Sequence, residues 1–533
     1  MSNASQVISS LDQTISTFRS RVDVKVQDVH SSTTNIRATT DRIYENISKF
    51  KTDMMHGEEK QIAHENILRI DQIIKEQFSN HVAIRRTVMG VVRDFDINLV
   101  RNSTIQELSE ELWITSSRYW LSYALIAITA WVNDYPEVAK NALAECGRRD
   151  RIKTTLFFCL MNLRFDRVEV AKKWFFEYLR TLDPTILQQE TAILLQSFLN
   201  GVFGKDKELE HEVIELIDQW ITEINEDAEI SAELLREYEQ FIANTNPQVK
   251  FEYESLSRFC TNAGDLQKSY TEVSKYDKLI AFAKSLDVEA GAQTDINYKS
   301  RIDSILNDLI SNYDKEELEL KNQQEYFRFI IENNGEVDKA EAQYEELQKL
   351  QNKSFNIGRQ MVKWALYDGS EQTDVQVRKF GFQNTKAWFK SAVSNWSAKM
   401  KEAFPLEYSL RIDIWSGESN GRDEAEMLEG MKKHYENNQF QLKYVNSYNI
   451  AAVIVFFLSI AFAFLTPFSL VITALSLGFL VYRVLNAEKA YAKRLNEALE
   501  NLRSCMSEIA EFRNYFESNQ VKKDNLMSIV EFI

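Results

Sequence analysis

The sequence predicts a mainly α-helical protein with long helices and coiled coil, a solenoid-like helical domain, a small α+β insert and a C-terminal transmembrane helical hairpin. Helix breakers are rare, since the 533 residues include only 15 glycines and 5 prolines. Near the N-terminus, apolar residues recur every seven positions, which is typical of coiled coils. Near the C-terminus, an uncharged apolar run is too long for an ordinary core helix.

Composition limits the partners and cofactors of the chain. A formal net charge of -16 disfavours nucleic acid, because phosphate repels an acidic surface. The 4 cysteines are too widely spaced for a zinc site or a disulfide framework, which fits a reducing cytoplasm. The N-terminus lacks the basic and apolar stretches of a signal peptide. We therefore expect no metal, no cofactor and no nucleic-acid partner.

Residues 1–78 predict an extended N-terminal coiled-coil helix. One apolar seam keeps a strict seven-residue period, which imposes a left-handed supercoil on paired helices. The row three residues after this seam starts apolar at Leu11 and Phe18 but turns polar at Lys25, which weakens the coiled coil. We expect pairing with another protein chain, with self-association as the main candidate; a long helix lying on the body is the alternative. The apolar seam comprises Ile8, Ile15, Val22, Val29, Ile36, Ile43 and Phe50.

Two helical segments follow at 79–245 and 246–354. The apolar stretch 120–132 is too short to span a membrane and predicts a buried helix. The motif EVAK occurs at 137–140 and again 32 residues later at 169–172, a spacing close to that of helical-hairpin repeats. The first segment is therefore predicted to pack like a solenoid. The second is predicted to form long polar helices.

Residues 355–440 predict a small α+β insert. Apolar and polar residues alternate with period two at 373–380 and 406–414, which predicts two strands. The apolar face of the second strand is expected to carry Leu406, Tyr408, Leu410, Ile412 and Ile414.

An amphipathic helix is predicted between these strands, at 384–404. It interleaves aromatic with basic side chains, a composition that suits the membrane interface. Packing against the small sheet is the alternative. The residues that define this candidate interfacial helix are Trp388, Lys390, Trp396 and Lys399.

Residues 441–484 predict a transmembrane hairpin. As a single helix, 450–482 would be about 50 Å long, whereas the hydrocarbon core of a bilayer is about 30 Å thick. A Thr-Pro pair splits the run into two arms, because threonine caps helix starts and proline is tolerated in the first turn. Small residues at Ala474 and Gly478 are expected where the arms approach closely. The arms and their break are marked by Ile450, Leu465, Thr466, Pro467, Phe468, Gly478 and Tyr482.

Charge around the hairpin predicts its orientation. Lysine and arginine occur on both flanks and the tip is uncharged, so both termini are expected in the cytoplasm. A hairpin buried in a soluble core is the alternative. Beyond it, residues 485–533 predict an amphipathic coiled-coil helix, because apolar residues step by four and three.

A basic segment at 146–174 is a candidate binding surface. In an acidic protein it creates a local positive field. It suits an acidic partner, lipid headgroups or an acidic stretch of the same chain, such as 208–226. This basic patch comprises Arg148, Arg149, Arg151, Lys153, Arg164 and Arg167.

One motif is considered for catalysis. Residues 417–421, GESNG, match the nucleophile elbow of serine hydrolases, with Ser419 as the nucleophile. That fold requires a large parallel sheet, whereas this sequence predicts two short strands. A turn after an edge strand is the alternative. We therefore expect no enzymatic activity and no catalytic residue.

Together these features predict a membrane-anchored, cytoplasm-facing helical scaffold that oligomerises through coiled coils at the inner face of the membrane. Its expected partners are the lipid bilayer and other protein chains. The main alternative is an α-helical pore-forming or membrane-perturbing effector that uses the hydrophobic hairpin, although the arms show no obvious polar stripe to line a pore. A hydrolase acting through Ser419 is the remaining alternative.

Overall fold

A computed structural model describes most of the chain and confirms the predicted mainly helical fold. The described part contains 19 helices and one two-stranded antiparallel sheet. The described residues are 2–94, 116, 118–204, 206–287, 298–351, 353–366, 375–445, 447–462 and 469–533, with the backbone alone at 2–15, 18, 94, 351, 447, 448, 462, 469 and 470.

The helices and strands are numbered in chain order. The first ten helices are α1 (Ser2–Asp94), α2 (Trp120–Val132), α3 (Pro136–Arg149), α4 (Arg151–Arg164), α5 (Val168–Arg180), α6 (Gln189–Leu199), α7 (Lys207–Glu226), α8 (Ala228–Asn244), α9 (Glu254–Phe259) and α10 (Ala263–Ser285). The remaining elements are α11 (Tyr298–Ser311), α12 (Lys315–Glu332), α13 (Val337–Gln351), α14 (Ile357–Leu366), α15 (Val375–Glu402), β1 (Tyr408–Ile412), β2 (Trp415–Ser419), α16 (Glu424–Asn437), α17 (Gln439–Tyr444), α18 (Ser447–Phe462) and α19 (Ser469–Phe532).

The chain separates into two compact units, each assembled from several stretches. The sequence alone suggests six consecutive segments instead. Unit 1 contains 1–182, 188–193 and 298–354, and unit 2 contains 183–187, 194–297 and 355–533.

Helix α1 dominates unit 1. It runs unbroken for 93 residues, so it continues past the predicted boundary at residue 78. Its first part is exposed, but from Ala63 onward one apolar face of the helix is buried against other helices of unit 1, while Leu68 and Val82 stay exposed. Beyond Ala63, the helix is therefore part of the core of this unit.

Two helical hairpins follow in unit 1, α2–α3 and α4–α5. Helix α2 is buried, as predicted for its short apolar stretch. The hairpin turns place Asp134 and Asp166 in the left-handed region, with φ of 61° and 53°. Each aspartate stands three residues before an EVAK motif, so the two turns are equivalent in sequence and in backbone. Solenoid packing beyond this pair remains a prediction.

Aspartate side chains cap the first turn of three helices, one in unit 1 and two in unit 2. Asp150 accepts a hydrogen bond of 2.9 Å from the Lys153 amide at the start of α4. Asp206 and Asp227 accept from first-turn amides of α7 and α8 in the same way. A cap of this kind satisfies amide groups that have no partner inside the helix.

The small sheet of unit 2 corrects the strand predictions. Strand β1 pairs with β2, which the sequence did not predict. Residues 375–380 of the predicted first strand belong instead to helix α15, where Val377 and Gly381 are buried at helical spacing. Packing against α14 thus overrides the β-propensity of the valines. Leu406 and Ile414 lie outside β1 and are exposed, so only the middle three residues of the predicted face are buried.

Helix α19 supplies the core around this sheet. It is one helix of 64 residues. The predicted apolar stripe of 495–516 packs inside unit 2, against β1, α9, α10 and α16, rather than against another chain. Its side chains in this core are Leu495, Leu499, Leu502, Met506, Ile509 and Phe516.

Candidate membrane-anchoring site

The apolar run forms two helices that pack side by side, α18 and the first part of α19. Among the described residues, one helix is long and apolar enough to cross a membrane. It is the part Val471–Phe532 of α19. The predicted break falls outside the described residues. The residues concerned are Leu465, Thr466, Pro467 and Phe468.

The outer face of the two helices is apolar and exposed. Leu475 is the most exposed of these side chains at 69%, and Phe457 follows at 64%. Soluble monomeric proteins rarely expose so many large apolar side chains side by side. The other exposed apolar side chains are Ile450, Val453, Ile454, Val455, Leu458, Ile460, Val471, Ile472, Leu477, Phe479, Val481 and Tyr482.

The face between the two helices is polar. Thr473 on α19 donates a hydrogen bond of 2.8 Å to Ser459 on α18. Nearer the base, Arg483 on α19 donates a hydrogen bond of 3.2 Å to Asn449 on α18. Ser459 is only 7% exposed and Ser476 only 9%. The expectation of arms without a polar stripe is therefore wrong for the face that joins them.

The predicted close approach at Ala474 and Gly478 is also wrong. Both residues are exposed on the outer face, and the space beside Gly478 is open. The contact is made instead by Thr473 and Arg483. Ser476, three residues after Thr473 and seven before Arg483, lies buried on the same helix face and donates to the Thr473 carbonyl of its own helix. This spacing of polar residues was available in the sequence.

The base of the hairpin is fixed to unit 2 by charged residues. Lys443 forms an ion pair with Glu488 and lies 4.9 Å from the centre of the Tyr491 ring. Further along α19, Arg494 binds Asp413 through two hydrogen bonds of 2.7 Å. Because α19 has no break, the second arm is a direct extension of the core helix.

Exposed aromatic rings surround this base. Tyr444 and Tyr482 are exposed, as an aromatic belt at the membrane interface requires. The sequence reasoning missed Phe440, which is 70% exposed and packs on Tyr444 with ring centres 5.5 Å apart.

The basic patch is largely paired within unit 1. Arg167 lies over the Trp131 ring, 4.1 Å from its centre, beside a cavity of about 270 Å³ between the two hairpins. The acids that pair with the other patch residues also lie in unit 1. The ion pairs are Arg148–Glu145 (2.9 Å), Arg149–Glu145 (2.8 Å), Arg151–Glu177 (3.2 Å), Lys153–Asp314 (3.2 Å) and Arg164–Asp303 (2.8 Å).

The candidate interfacial helix packs inside unit 2. Trp388 is buried and donates a hydrogen bond of 2.9 Å to Ser231 on α8. Trp396 donates one of 2.9 Å to Glu272 on α10. Lys390 pairs with Glu531, whereas Lys399 is exposed. The packing alternative therefore accounts for both indoles, with helices rather than the sheet as their neighbours.

Ser419 closes a turn. Its hydroxyl donates to Asp423 at 2.5 Å and accepts from the Gly421 amide at 3.0 Å. The residue is 1% exposed, which keeps its oxygen away from any external substrate. The arrangement is what a turn between β2 and α16 requires.

The heptad seam of α1 is exposed wherever its side chains are described. Val22, Val29, Ile36, Ile43 and Phe50 are 43% to 67% exposed. The side chains of Ile8 and Ile15 lie outside the described residues.

Comparison with known proteins identified no similar family, protein or structure. No protein-family model matches the chain, and no curated protein or solved structure is significantly similar to it. Among the described residues, no group of three or more histidine, cysteine or acidic side chains could hold a metal ion.

Proposed function

We propose that the protein is a hairpin-anchored membrane scaffold whose helical units face the cytoplasm. The supporting observation is the inverted polarity of the hairpin, with hydrogen-bonded polar groups between the arms and apolar side chains outside. Lipid favours this arrangement, because polar groups in hydrocarbon must be paired within the protein. Water disfavours it, since each large exposed apolar side chain forgoes about 1.5–3 kcal/mol of burial free energy.

Charge supports the orientation. Lys443 precedes the hairpin, and Arg483, Lys489, Lys493 and Arg494 follow it. The flanks therefore sit together on the side that attracts lysine and arginine, the cytoplasm. The arms are short, since α18 with 16 residues is about 24 Å long. The aromatic rings at the base extend the membrane-compatible length into the interface.

The scaffold part of the proposal rests on α1. A helix of 93 residues with an exposed apolar seam offers a surface for another chain. The described residues supply no comparable arrangement for catalysis, whereas the hairpin and the seam both suit assembly at a bilayer. Oligomerisation through α1 would then concentrate anchored copies at one place on the membrane.

Membrane flotation of the full chain tests the anchor. Leu475→Glu places a charge on the outer face of the hairpin, and Val521→Glu is its matched control on the same helix. Both parent residues are 69% exposed, so neither variant removes core packing. A charge within the bilayer costs about 3 kcal/mol on insertion scales. Adding Phe457→Glu to Leu475→Glu doubles that cost.

We expect carbonate-resistant flotation of the parent and of Val521→Glu, and loss of flotation for the Phe457→Glu, Leu475→Glu double variant. If the double variant floats as well as the parent, the hairpin is not the anchor. A parent protein that stays in the soluble fraction would reject the proposal altogether.

Pore formation is the second candidate, and the polar seam favours it. If hairpins of several copies opened toward one another, Ser459, Thr473 and Ser476 would offer a polar lining. Dye leakage from liposomes distinguishes the two functions. The pore function predicts leakage that Thr473→Leu with Ser476→Leu abolishes while flotation persists. The scaffold function predicts flotation without leakage.

A further inference from the structure

A second apolar seam lies beside the heptad seam of α1. Each of its residues lies four positions after one residue of the heptad seam and three positions before the next. This alternation of four and three is typical of a two-stranded coiled coil. Its two threonines donate their hydroxyls to carbonyls of α1 itself, at 2.7 Å for Thr33 and 2.9 Å for Thr40. Their methyl groups are thus left for packing. This second seam comprises Val26, Thr33, Thr40, Ile47 and Met54, all of them exposed.

We propose that residues 22–54 of α1 pair antiparallel with the same residues of a second copy, with the two-fold axis close to Ala38. The proposal rests on the oligomerising scaffold function proposed above and specifies its partner and register. An exposed helix of this length with two alternating apolar seams is self-complementary along its whole paired part. The occupant is therefore a second copy of this chain.

Side-chain size favours the antiparallel register. In an antiparallel pair, each residue of the first seam faces one of the second seam. Every layer then joins a large side chain to a smaller one, as close packing of facing positions requires. The layers are Val22 with Met54, Val26 with Phe50, Val29 with Ile47, Thr33 with Ile43, and Ile36 with Thr40.

Charge favours the same register. The residues that flank the seams meet across the dimer as Lys25 with Asp53 and as Asp23 with Lys51, each twice by symmetry. The one like-charged contact is Arg37 with itself, and its exposure lets solvent screen it. Four attractive pairs therefore oppose one weak repulsion.

The parallel arrangement matches less well. Each residue would face its own copy, so Phe50 would meet Phe50 and the threonines would meet threonines. Lys25 would lie near His30 of the other copy, and Asp53 near Glu58, which has the same charge. Neither size nor charge is complementary in that register.

The antiparallel register also sets a distance. From Ala38 to Ala63, where α1 becomes buried, the helix is about 37 Å long. The two Ala63 residues, where each α1 enters the packed part of its unit 1, would then lie about 75 Å apart along the shared coiled coil.

Cysteine crosslinking of the full chain in membranes tests the orientation. In the antiparallel register Thr39 faces Thr39 of the second copy, whereas two copies of Val29 lie about 27 Å apart. In the parallel register the Val29 residues meet and the Thr39 residues lie on opposite sides of the seam. The 4 native cysteines are buried, so the parent protein is the blank.

We expect a short thiol crosslinker to give dimers with Thr39→Cys and none with Val29→Cys. The reverse result would establish a parallel coiled coil and overturn the proposal. Absence of crosslinks in both variants, together with a monomeric mass in detergent, would overturn self-pairing. Flotation of the same samples reports the anchor separately, so failure of this inference is distinguishable from failure of the membrane function.

Charge exchange provides an independent variant set at exposed positions. Lys25→Glu alone is expected to lower dimer affinity severalfold, because the introduced carboxylate would face the carboxylate of Asp53. The double variant Lys25→Glu, Asp53→Lys should restore the affinity, measured by light scattering of the detergent-solubilised chain. Asp53→Lys alone separates the two arrangements: it should weaken an antiparallel dimer, in which it would face Lys25, and strengthen a parallel dimer, in which it would lie near Glu58. Loss without restoration would contradict the register.

Discussion

Thr473 and Ser459 join the two arms of the hairpin through a hydrogen bond of 2.8 Å between their hydroxyls. Each of these hydroxyls would be costly to expose to hydrocarbon without a partner. The bond therefore belongs to a hairpin whose inside and outside are exchanged relative to a water-soluble protein. It also offers a direct way to measure how tightly the arms hold together.

Replacing Thr473 by valine removes this bond while keeping the shape of the side chain. Hydrogen bonds between membrane helices contribute about 0.6 kcal/mol on average, so we expect a loss of that order. Unfolding of the solubilised chain by increasing SDS measures it. Ala474→Val adds apolar volume on the exposed outer face and serves as the control, with little change expected. Equal losses of stability in Thr473→Val and Ala474→Val would mean that the assay does not measure the hydrogen bond between the arms.

Glu317 carries a buried ion pair in unit 1. Arg85 donates to both carboxylate oxygens, at 2.7 Å and 2.9 Å, and His81 lies 3.6 Å away. Glu317→Gln leaves the Arg85 charge buried without its counter-ion, for which we expect a loss of about 3 kcal/mol in unfolding free energy. Chemical denaturation followed by circular dichroism measures the change. Glu316→Gln, at the exposed neighbouring position, should leave stability within experimental error.

The same carboxylate predicts an acid-sensitive unit. Burial disfavours its ionisation, but the two hydrogen bonds from Arg85, together with the nearby His81 imidazole, outweigh this effect and lower the pKa of Glu317 to about 2. A pKa that is lower in the folded state stabilises the fold above the ordinary glutamate pKa of about 4.3. This stability is lost as the pH falls from there toward 2. Thermal unfolding between pH 6 and pH 2 should therefore show a steeper loss for the parent than for Glu317→Gln.

Gly335 lies against the backbone of α1. Its φ of +90° is in the left-handed region, and a Cβ atom there would meet the His56 carbonyl. Gly335→Ala is therefore expected to cost about 2 kcal/mol or more, since neither backbone can yield. Limited proteolysis around residue 56 should accelerate. Gly57→Ala enters open space inside a helix and should stabilise by about 0.5–1 kcal/mol, so faster proteolysis of that variant would contradict the explanation.

The pair of Asp413 and Arg494 fixes α19 below the hairpin. The Arg494 guanidinium lowers the pKa of Asp413, so the contact stabilises above the ordinary aspartate pKa of about 3.9 and fades as the pH falls below it. Arg494→Gln should cost about 0.5–1 kcal/mol at neutral pH, because solvent screens this partly exposed pair. The loss should shrink at pH 3. Lys493→Gln is the control, since its contact with Glu497 is longer at 3.7 Å.

The sequence predicts the helical class because apolar periodicity and scarce breakers are local properties. It fails at 375–380, where Val375 and Val377 alternate as in a strand, whereas in α15 Val377 is buried together with Gly381, four residues further on the same helix face. The decisive factor was the neighbouring helix, which no short window contains. The partner of Trp388 was missed for the same reason, since Ser231 is distant in sequence.

Within the hairpin, the apolar character of the run was predictable and its inner face was not recognised. Single serines and threonines in an apolar stretch do not by themselves indicate a polar helix face. Their common face becomes evident only when the helices and their packing are known. Asn449 and Arg483 lie 34 residues apart, and only the packing of the arms brings them together. The second seam of α1 differs, because its spacing was legible in the sequence from the start.

Under the proposed anchoring, the unbroken helix α19 would make a bilayer a stabilising ligand of unit 2. The same helix supplies the apolar arm and the buried core residues Leu502 and Phe512, so lipid that holds the arm as a helix would also favour the helix within the core. By mass action, each tenfold preference of lipid for the folded over the unfolded chain would add about 1.4 kcal/mol to the unfolding free energy of unit 2. Removal of the arm from the bilayer and unfolding of the core of unit 2 would then be thermodynamically coupled.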